Sequence, residues 1–438
     1  MGVKADLLIV NAGQLVTCAG PGRRPKVGRE MLDVGVIENG AVAVAGAEIV
    51  AVGKTGGLEK EIELTAGGRM IDAGGRLVMP GLVDPHTHLV FAGSREHELD
   101  LKLQGLSYLE ILAQGGGILN TVAETRRASR EDLVKAGMGY ADEMLSQGTT
   151  TAEAKSGYGL TTDHEIKQLE AIREIDACHP IDLVPTFLGA HAVPREYTGR
   201  TDEYVALVVE EMLPAVKRHS LAEFCDVFCE EGVFGIPQSR RVLQRARELG
   251  FKLKIHADEI EPLGGAELAA ELGAVSADHL LAVSEGGIAW MAQRGTIAVL
   301  LPGTSFNLRT GRYAPARKIL DAGVPVALAS DFNPGSCPTH SLELIMTLAC
   351  LYLEMRPAEV VNAVTINAAH AIGRADRVGS IEPGKQADIV IFDVPNLAYL
   401  CYRFGTNLVW KVIKKGTVVI ERGGEWPHGK DRPVRAKF

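Results

Sequence analysis

Hydrophobic and polar positions alternate in two different ways along the chain. Near both ends, the apolar runs are short, rich in β-branched residues and bounded by glycine, asparagine or aspartate. Such runs are typical of β-strands rather than helices. They occur at residues 6–17, 40–53, 388–394 and 407–421. We therefore predict that both ends of the chain are β-rich.

The middle of the chain repeats a different pair of elements. A short apolar run is followed by a longer stretch with helical spacing, again and again. Strands are predicted at 82–88, 149–154, 182–188, 223–229, 252–257, 274–279, 296–301 and 326–331. Helices are predicted at 129–147, 202–219, 238–249 and 285–293.

This alternation predicts an α/β protein built on a (β/α)8 TIM-like barrel, because strands that alternate with helices form parallel, closed sheets. We assign residues 81–378 to the barrel. A second, smaller β-sandwich domain would combine an N-terminal part, residues 1–80, with a C-terminal part, residues 379–438. The sequence leaves a second arrangement open, in which the two ends form separate β caps.

Composition excludes several classes of protein. Of 438 residues, 46% are hydrophobic, which is too many for a disordered chain. The net charge of −9 argues against a nucleic-acid partner, and no apolar stretch is long enough to predict a membrane segment. The start of the chain lacks the apolar core of a signal peptide, and the seven cysteines are scattered, so we expect a cytoplasmic protein. Cys225 and Cys229 share a strand face, and a pair of buried thiols is preferred over a zinc pair or a disulfide.

Polar residues with metal-binding chemistry collect at the predicted strand ends, where barrel enzymes carry their function. The histidines at these ends are His86, His88, His191, His256 and His279. Residues i and i+2 of a strand point to one face, so His86 and His88 can approach one ion together. A His-x-His pair alone is weak evidence, but His256 and Asp331 complete a set that suits Zn²⁺ or Fe. The combination predicts a metal site.

Two segments of the chain resemble the amidohydrolase superfamily of metal-dependent hydrolases. They are Pro80 to His88, which resembles the opening of that barrel, and Gly379 to Asp388, which resembles the return to its small β domain. Five further stretches, at 86–96, 155–160, 187–191, 256–259 and 330–336, are similar to one branch of the superfamily that degrades histidine. This resemblance spans most of the chain.

The resemblance implies an activity, a cofactor and a site. The activity is hydrolysis of the cyclic amide C–N bond of 4-imidazolone-5-propanoate to N-formimidoyl-L-glutamate by a metal-activated water. One Zn²⁺ or Fe ion per subunit would be held by His86, His88, His256 and Asp331. Substrate contacts are implied for Arg95, Tyr158, His191, Glu259, Asn333, Gly335 and Ser336. The partners implied are this small molecule and a second copy of the chain in a homodimer.

Elementary chemistry supports some of these roles and leaves others open. The planar fork of Arg95 matches a carboxylate tail, and backbone N–H groups at Gly335 and Ser336 could cradle an anion. His279 is a candidate for oxyanion stabilisation, and either Glu259 or Asp331 could be the general base. The fourth strand ends without the lysine of two-metal relatives, which favours a single ion. Glu230 as a bridging ligand remains an alternative.

Two rival functions fit the same patterns. Another amidohydrolase, such as a nucleobase deaminase or a different cyclic amidase, would share the fold and the metal. A barrel without catalysis is the second rival, although such proteins typically lack metal ligands. A glycine-rich run at 114–117 lacks the Lys-Ser/Thr of a phosphate loop and predicts a flexible loop near the site.

Overall fold

The structure is a computed structural model that describes residues 2–106 and 116–422. Part of the predicted glycine-rich loop, residues 114 and 115, and residues 423–438 of the predicted C-terminal segment lie outside the described residues. The described chain forms one eight-stranded parallel barrel sheet and one eight-stranded mixed sheet. These two sheets confirm the predicted fold class.

Eight parallel strands form the barrel in the order in which they occur along the chain. They are β6 (Leu82–Asp84), β7 (Thr149–Lys155), β8 (Asp182–Ala190), β9 (Phe224–Cys229), β10 (Lys252–Ala257), β11 (Ser276–His279), β12 (Ile297–Leu300) and β13 (Val326–Leu328). The first and last strands meet through a parallel bridge between Thr87 and Phe332. Backbone hydrogen bonds from Asp331 N to His86 O (3.0 Å) and from His88 N to Phe332 O (2.9 Å) complete this closure.

The mixed sheet draws its strands from both ends of the chain. They are β1 (Val3–Val16), β2 (Val36–Ala45), β3 (Glu48–Lys54), β4 (Ile62–Asp72), β5 (Leu77–Pro80), β14 (Ile389–Phe392), β15 (Val409–Lys414) and β16 (Thr417–Glu421). Seven of the strands follow the order β16-β15-β14-β5-β1-β2-β3. The eighth strand, β4, pairs with β1 and stands outside this linear order. The antiparallel pairing of β14 with β5 joins the C-terminal strands to the N-terminal ones in a single sheet.

The helices lie mostly on the outside of the barrel, except for Thr55–Glu61, between β3 and β4, and Leu397–Tyr402, between β14 and β15. Their bounds are Thr55–Glu61, His97–Leu103, Ile118–Arg127, Arg130–Ser146, Thr162–Cys178, Thr201–Leu207, Leu213–Arg218, Ile236–Glu248, Gly265–Leu272, Glu285–Arg294, Pro302–Asn307, Ala316–Asp321, Leu342–Tyr352, Pro357–Ala363, Ile366–Ala371 and Leu397–Tyr402. Short 3₁₀ turns occur at Gly28–Leu32 and Arg195–Tyr197, and a π-helical turn at Val208–Met212. None of the helices within residues 2–106 and 116–422 combines the length and the apolar character needed to cross a bilayer.

All eight predicted barrel strands are present, but β6 ends at Asp84 and β13 at Leu328, so His86, His88 and Asp331 follow their strands instead of lying in them. The predicted strand at 40–53 is a hairpin of β2 and β3, because the turn at Gly46 has positive φ (58°). The predicted helix at 202–219 is interrupted by the π-helical turn. Strand β4 was not predicted, since its side chains are mostly exposed and its sequence shows no apolar alternation.

Candidate active site

Four histidines and one aspartate meet at the carboxyl end of the barrel. His86 and His88 follow β6, His256 lies in β10, His279 ends β11, and Asp331 follows β13. All five side chains are buried, with at most 3% of each residue exposed. The backbone hydrogen bonds that close the barrel hold the His86–His88 segment directly against Asp331.

Two of these residues adopt an uncommon backbone conformation. The φ angle is +77° at His279 and +54° at Asp331, and neither residue is glycine. A left-handed residue of this kind costs about 1–3 kcal/mol and persists only where the surrounding structure enforces it. Such residues collect at functional sites, and here both carry a side chain of the cluster.

Asp331 lies between the two histidines of the first strand. Its Oδ1 is 3.5 Å from His86 Nε2 and 3.5 Å from His88 Nε2, and its Oδ2 accepts a hydrogen bond from the Thr304 hydroxyl. Burial favours the neutral carboxyl, but the contacts with the two imidazoles outweigh it and hold the Asp331 pKa well below its usual range. Asp331 is therefore a carboxylate at neutral pH.

Three overlapping groups of side chains have ligand atoms within 4.8 Å of one another. These groups are His86, His88 and Asp331; His86, His256 and His279; and His88, His191 and His256. The predicted ligand set of His86, His88, His256 and Asp331 is spread over these groups. His256 shares one group with His86 and another with His88, whereas Asp331 shares a group with both His86 and His88.

The chemistry of this cluster fits a metal ion. Among residues 2–106 and 116–422, buried His86 Nε2, both ring nitrogens of His256 and both of His279 lack a hydrogen-bond partner. Burying a polar atom without a partner is costly, and binding of a metal ion by the imidazole lone pair would remove this cost. Burial lowers the pKa of His88 to about 4, which keeps this imidazole neutral and able to bind an ion.

Glu259 lies next to His279 on the same side of the cluster. Its Oε1 is 3.6 Å from His279 Nδ1, and 16% of its side chain is exposed. Burial, together with the nearby carboxylates of Asp331 and Glu230, raises the pKa of Glu259 to about 8. A carboxyl group with a pKa near neutrality can both accept and release a proton.

His191 and Tyr158 form an aromatic wall beside His88. The His191 ring stacks on His88 with centroids 4.9 Å apart, and Tyr158 lies 5.4 Å from His191 and 5.8 Å from His88. His191 Nδ1 is 3.1 Å from the carbonyl oxygen of Gly157, and burial lowers its pKa well below the usual value. The neutral ring therefore donates from Nδ1 and keeps a lone pair on Nε2.

Arg95 is already paired with an acidic side chain. Its Nε and Nη2 donate to the two carboxylate oxygens of Glu98 at 2.9 and 2.8 Å, and the Glu98 carboxylate is buried. The third guanidinium nitrogen, Nη1, packs over Gly335, where a Cβ atom would lie only 1.9 Å away. The same Gly335 accepts a hydrogen bond on its carbonyl oxygen from Lys102 Nζ at 3.1 Å.

The turn after β13 differs from the anion cradle expected from the sequence. The backbone N–H groups of Gly335 and Ser336 both donate to Asn333 Oδ1 at 2.8 Å. The Asn333 amide in turn donates to Asp331 O and to Ser336 Oγ, both at 2.7 Å. These N–H groups are occupied by an internal acceptor, because asparagine hydrogen-bonds readily to the backbone two or three residues on. Because Ser336 Oγ accepts the Asn333 amide, the hydroxyl hydrogen of Ser336 is left to donate to a ligand.

The structure also places the residues of two weaker predictions. Glu230 accepts backbone hydrogen bonds from Glu231 and Glu261 on Oε1 and from Ile260 on Oε2, so both of its oxygens hold the loop after β10. Cys225 and Cys229 are buried free thiols, as the preferred interpretation predicts.

The sequence analysis missed a layer of charged residues below the histidines. They are Glu153, Lys155, Asp226, Lys254 and Asp278, all of them buried. A signal for them exists in the sequence, since Glu153 and Lys155 alternate with alanine in β7, and Asp226 interrupts an apolar strand. Alternation of this kind places a polar side chain on one face of a strand, which here is the barrel interior.

Comparisons with known proteins agree with this geometry. The family model described as the amidohydrolase family matches residues 77–419. A protein named imidazolonepropionase from Alkaliphilus oremlandii is 58% identical over 418 residues, covering 95% of this chain and 99% of that protein. A protein of the same name from Geobacillus kaustophilus is 56% identical over 418 residues, covering 95% and 98% of the two chains.

Solved structures share the fold at low sequence identity. An adenosine deaminase from Xanthomonas campestris with bound zinc superposes with a TM-score of 0.70 at 23% identity, covering 96% of this chain and 94% of that one. The guanine deaminase of E. coli superposes with a TM-score of 0.72 at 16% identity, covering 95% of this chain and 100% of that one.

Proposed function

The chain belongs to the amidohydrolase family, and from this premise we propose that the carboxyl end of its barrel is the active site of an imidazolone hydrolase. The enzyme hydrolyses the cyclic amide C–N bond of 4-imidazolone-5-propanoate to N-formimidoyl-L-glutamate in histidine degradation. The observation that carries this assignment is a sequence identity of 58% and 56% to two imidazolonepropionases, each over 418 residues.

The amidohydrolase family is metal-dependent, and the buried histidines offer the ligands. One Zn²⁺ or Fe ion per subunit would be held by His86, His88, His256 and Asp331. Support comes from the imidazole nitrogens that have no partner within the described residues, from the close group of His86, His88 and Asp331, and from the groups that His256 shares with His86 and with His88. When bound, such an ion supplies a water of lowered pKa and polarises the substrate carbonyl.

Glu259 is the general base and later the general acid of this proposal. It takes the proton of the attacking water and returns that proton to the ring nitrogen that leaves when the C–N bond opens. A pKa raised to about 8 serves both directions of transfer. Asp331 suits the role less well, because its oxygens face two imidazoles and the Thr304 hydroxyl and its pKa is held low.

Two further histidines would orient the reacting ring. His279, beside Glu259, donates a hydrogen bond to the oxygen that becomes negative when water attacks the ring carbonyl. His191 accepts a hydrogen bond from a substrate N–H on its free Nε2, since its Nδ1 faces the Gly157 carbonyl. Tyr158 packs against the flat substrate ring from the side of His88.

The propanoate tail of the substrate binds at the turn after β13 in this proposal. Arg95 offers Nη1, held in place by Glu98, and Ser336 offers its hydroxyl hydrogen. Asn333 shapes the turn through its hydrogen bonds to Gly335 and Ser336. The tail thus meets a cation that is already oriented, which reduces the entropy lost on binding.

We extend the proposal to the organisation and setting of the protein. Residues 81–378 form the barrel domain, and residues 1–80 and 379–438 together form the small β domain. The enzyme works in the cytoplasm as a homodimer, without a nucleic-acid or membrane partner.

A metal analysis combined with a substrate panel tests the proposed function. Purified protein should contain about one equivalent of Zn or Fe, lose its activity on chelation and regain it when metal is returned. It should turn over 4-imidazolone-5-propanoate and leave guanine, cytosine and hydantoin unchanged. Turnover of a nucleobase instead would assign a deaminase, and metal-free protein without turnover would support the non-catalytic barrel.

His256→Ala tests the ligand set within the same experiment. The variant should lose bound metal and at least about a thousandfold of kcat/KM, because the activated water depends on the ion. His219→Ala is the matched control, since His219 is an exposed residue at a helix end. A His256→Ala protein that is fully active without metal would overturn the proposed site.

A further inference from the structure

Five charged side chains are buried inside the barrel directly below the histidine cluster. They are Glu153, Lys155, Asp226, Lys254 and Asp278, each with 0% of its surface exposed. We propose that Lys155 is a positioning residue, which holds the carboxylates of Asp226 and Asp278 so that these orient His256 and His86 toward a metal ion. The inference rests on the metal site of the proposed function and deepens it.

Each of the two carboxylates contacts the Nδ1 atom of one imidazole. Asp278 Oδ2 lies 2.6 Å from His86 Nδ1, which is a short hydrogen bond. Asp226 Oδ2 lies 3.0 Å from His256 Nδ1, although the ring N–H is not aimed straight at the oxygen. A carboxylate on Nδ1 selects the tautomer with its proton there and leaves Nε2 as the metal-binding lone pair.

Lys155 lies between the two carboxylates. Its Nζ is 2.7 Å from Asp226 Oδ2 and 3.9 Å from Asp278 Oδ2. A third carboxylate, Glu153, lies 2.8 Å from the same Nζ. One ammonium group therefore faces the oxygen on each aspartate that also contacts an imidazole, at hydrogen-bond distance from Asp226 and at longer ion-pair distance from Asp278.

The remaining oxygens of the two aspartates are fixed by other donors. Asp226 Oδ1 accepts from the backbone N–H of Val227 at 2.7 Å and of His256 at 3.2 Å. Asp278 Oδ1 accepts from the Ser276 hydroxyl at 2.6 Å. Because each carboxylate is held on both oxygens, its orientation is set by the protein before any ion binds.

The second lysine, Lys254, lies slightly closer to Asp278 than Lys155 does, and neither ammonium group is at hydrogen-bond distance from that carboxylate. Lys254 Nζ donates to Glu153 Oε2 at 2.9 Å and to the carbonyl oxygen of Pro85 at 2.7 Å. Its distance to Asp278 Oδ2 is 3.7 Å. Pro85 immediately precedes His86, so this contact anchors the backbone that carries the first histidine pair.

Stability alone gives no reason for such a network. Removing five charged groups from water costs several kcal/mol per ion, and well-packed apolar replacements are often as stable or more stable. The network instead lies one side-chain layer below the cluster and contacts two of its imidazoles. Partners of metal-binding histidines contribute roughly ten- to a hundredfold in metal affinity. We therefore attribute the network to the positioning of the metal-binding histidines.

The test compares a charge deletion with its charge-compensated partner. Lys155→Met leaves the carboxylates without their shared cation, and Lys155→Met combined with Glu153→Gln removes one negative charge as well. We expect the double variant to recover most of the Tm lost by the single variant. Both should bind Zn²⁺ about ten- to a hundredfold more weakly than wild type in competition with a chelator. The Co²⁺-loaded proteins should also show altered visible absorption.

Lys414→Met is the matched control for loss of a buried lysine. Lys414 is 2% exposed and pairs with Asp182 and Asp388 at the opposite end of the barrel. Its replacement should lower the Tm and leave Zn²⁺ affinity and the Co²⁺ spectrum unchanged. Wild-type Zn²⁺ affinity in the compensated Lys155 variant would overturn the inference.

Two further outcomes keep the test decisive. If the compensated variant does not fold, Lys155→Arg replaces it, since arginine keeps the charge but moves it relative to the two aspartates. Wild-type metal affinity and spectrum in Lys155→Arg would again contradict a positioning role. Failure of the wild-type protein to bind metal would sink the proposed function, whereas binding by wild type and all variants alike would sink only this inference.

Discussion

Glycine at position 335 leaves room for the guanidinium group of Arg95. A Cβ atom at residue 335 would come within 1.9 Å of Arg95 Nη1 and 2.4 Å of its Cζ. Glu98 holds the same guanidinium from the other side, so Arg95 has little room to retreat. We expect Gly335→Ala to raise KM for 4-imidazolone-5-propanoate at least about tenfold, equivalent to about 1.4 kcal/mol of binding, with a smaller change in kcat.

Gly139→Ala is the control for a glycine without a close neighbour. Gly139 lies in the Arg130–Ser146 helix, and no atom lies within 4 Å of the Cβ position there. Alanine is favoured over glycine in a helix by about 0.5–1 kcal/mol, so this variant should be slightly more stable and fully active. Steady-state kinetics of both variants check the pair, and an unchanged KM in Gly335→Ala would argue that Arg95 does not bind the tail.

Which residues the sequence reveals depends on where they lie on a strand. The meeting of the proposed ligand side chains is predictable, because the ends of barrel strands converge on one rim and each residue ends a predicted strand. They are His86, His88, His256 and Asp331. The partners of the imidazoles are harder to find, since a contact such as that of Asp278 with His86 joins residues 192 positions apart. Neither the pairing of Arg95 with Glu98 nor the occupied turn at Asn333 leaves a pattern in a single sequence.

Among the elements, the Leu342–Tyr352 helix carries a buried carboxyl group that makes stability depend on pH. Both oxygens of Glu343 lie 3.2 Å from the backbone nitrogen of Leu408, just before β15. Burial raises the pKa of Glu343 to about 7, against an unfolded value near 4.5. Because the folded protein binds this proton more tightly, the group lowers stability as pH rises from about 4.5 through 7.

Glu343→Gln should remove this penalty while keeping an acceptor for the Leu408 N–H. Each pKa unit corresponds to about 1.4 kcal/mol, so we expect a gain of roughly 3 kcal/mol and a higher Tm at pH 8, with little change at pH 4.5. Thermal unfolding at a series of pH values measures the effect. Glu285→Gln is the control, since that side chain is 91% exposed. A variant whose Tm follows the wild-type pH profile would refute this account of Glu343.

The elements themselves were predictable where burial is one-sided or complete. Strands such as β12 (Ile297–Leu300) are continuous apolar runs, because both faces of a parallel barrel strand are covered. Strand β4 was missed for the opposite reason, since an exposed strand needs no apolar periodicity. The hairpin of β2 and β3 turns at Gly46, which has a positive φ. A single glycine in the sequence does not reveal such a turn until the strands on either side are known to pair.

For the whole molecule, the sheet and the site lie at opposite ends of the barrel. Lys414 in β15 donates to the carbonyl oxygen of Thr150 at the start of β7, and also to Asp182 at the start of β8. The histidines lie at the far ends of the strands. The net charge of −9 is equally uneven, since the acidic excess belongs to residues 81–378. The substrate is itself an anion, so the overall charge is a poor guide to its binding.

Two neighbouring lysines lie at the junction between the mixed sheet and the barrel, and their replacement should therefore have very different effects on stability. Lys414 is 2% exposed and pairs with Asp182 and Asp388 at 2.7 Å, whereas Lys415 is 46% exposed and pairs with Asp182 alone at 2.6 Å. Removing one partner of a buried ion pair costs about 3–5 kcal/mol, because the other charge stays buried without compensation. Exposed pairs contribute about 0–1 kcal/mol.

We expect Lys414→Met to lower the free energy of unfolding by about 3–5 kcal/mol and Lys415→Met by less than about 1 kcal/mol. Adding Asp388→Asn to Lys414→Met should restore part of the loss, since it removes the carboxylate left unpaired. Denaturant titration measures all three variants, and kcat/KM should stay near wild type wherever the protein is folded, because the junction is remote from the site. Equal losses for the two lysines would mean that the buried pair does not join the sheet to the barrel.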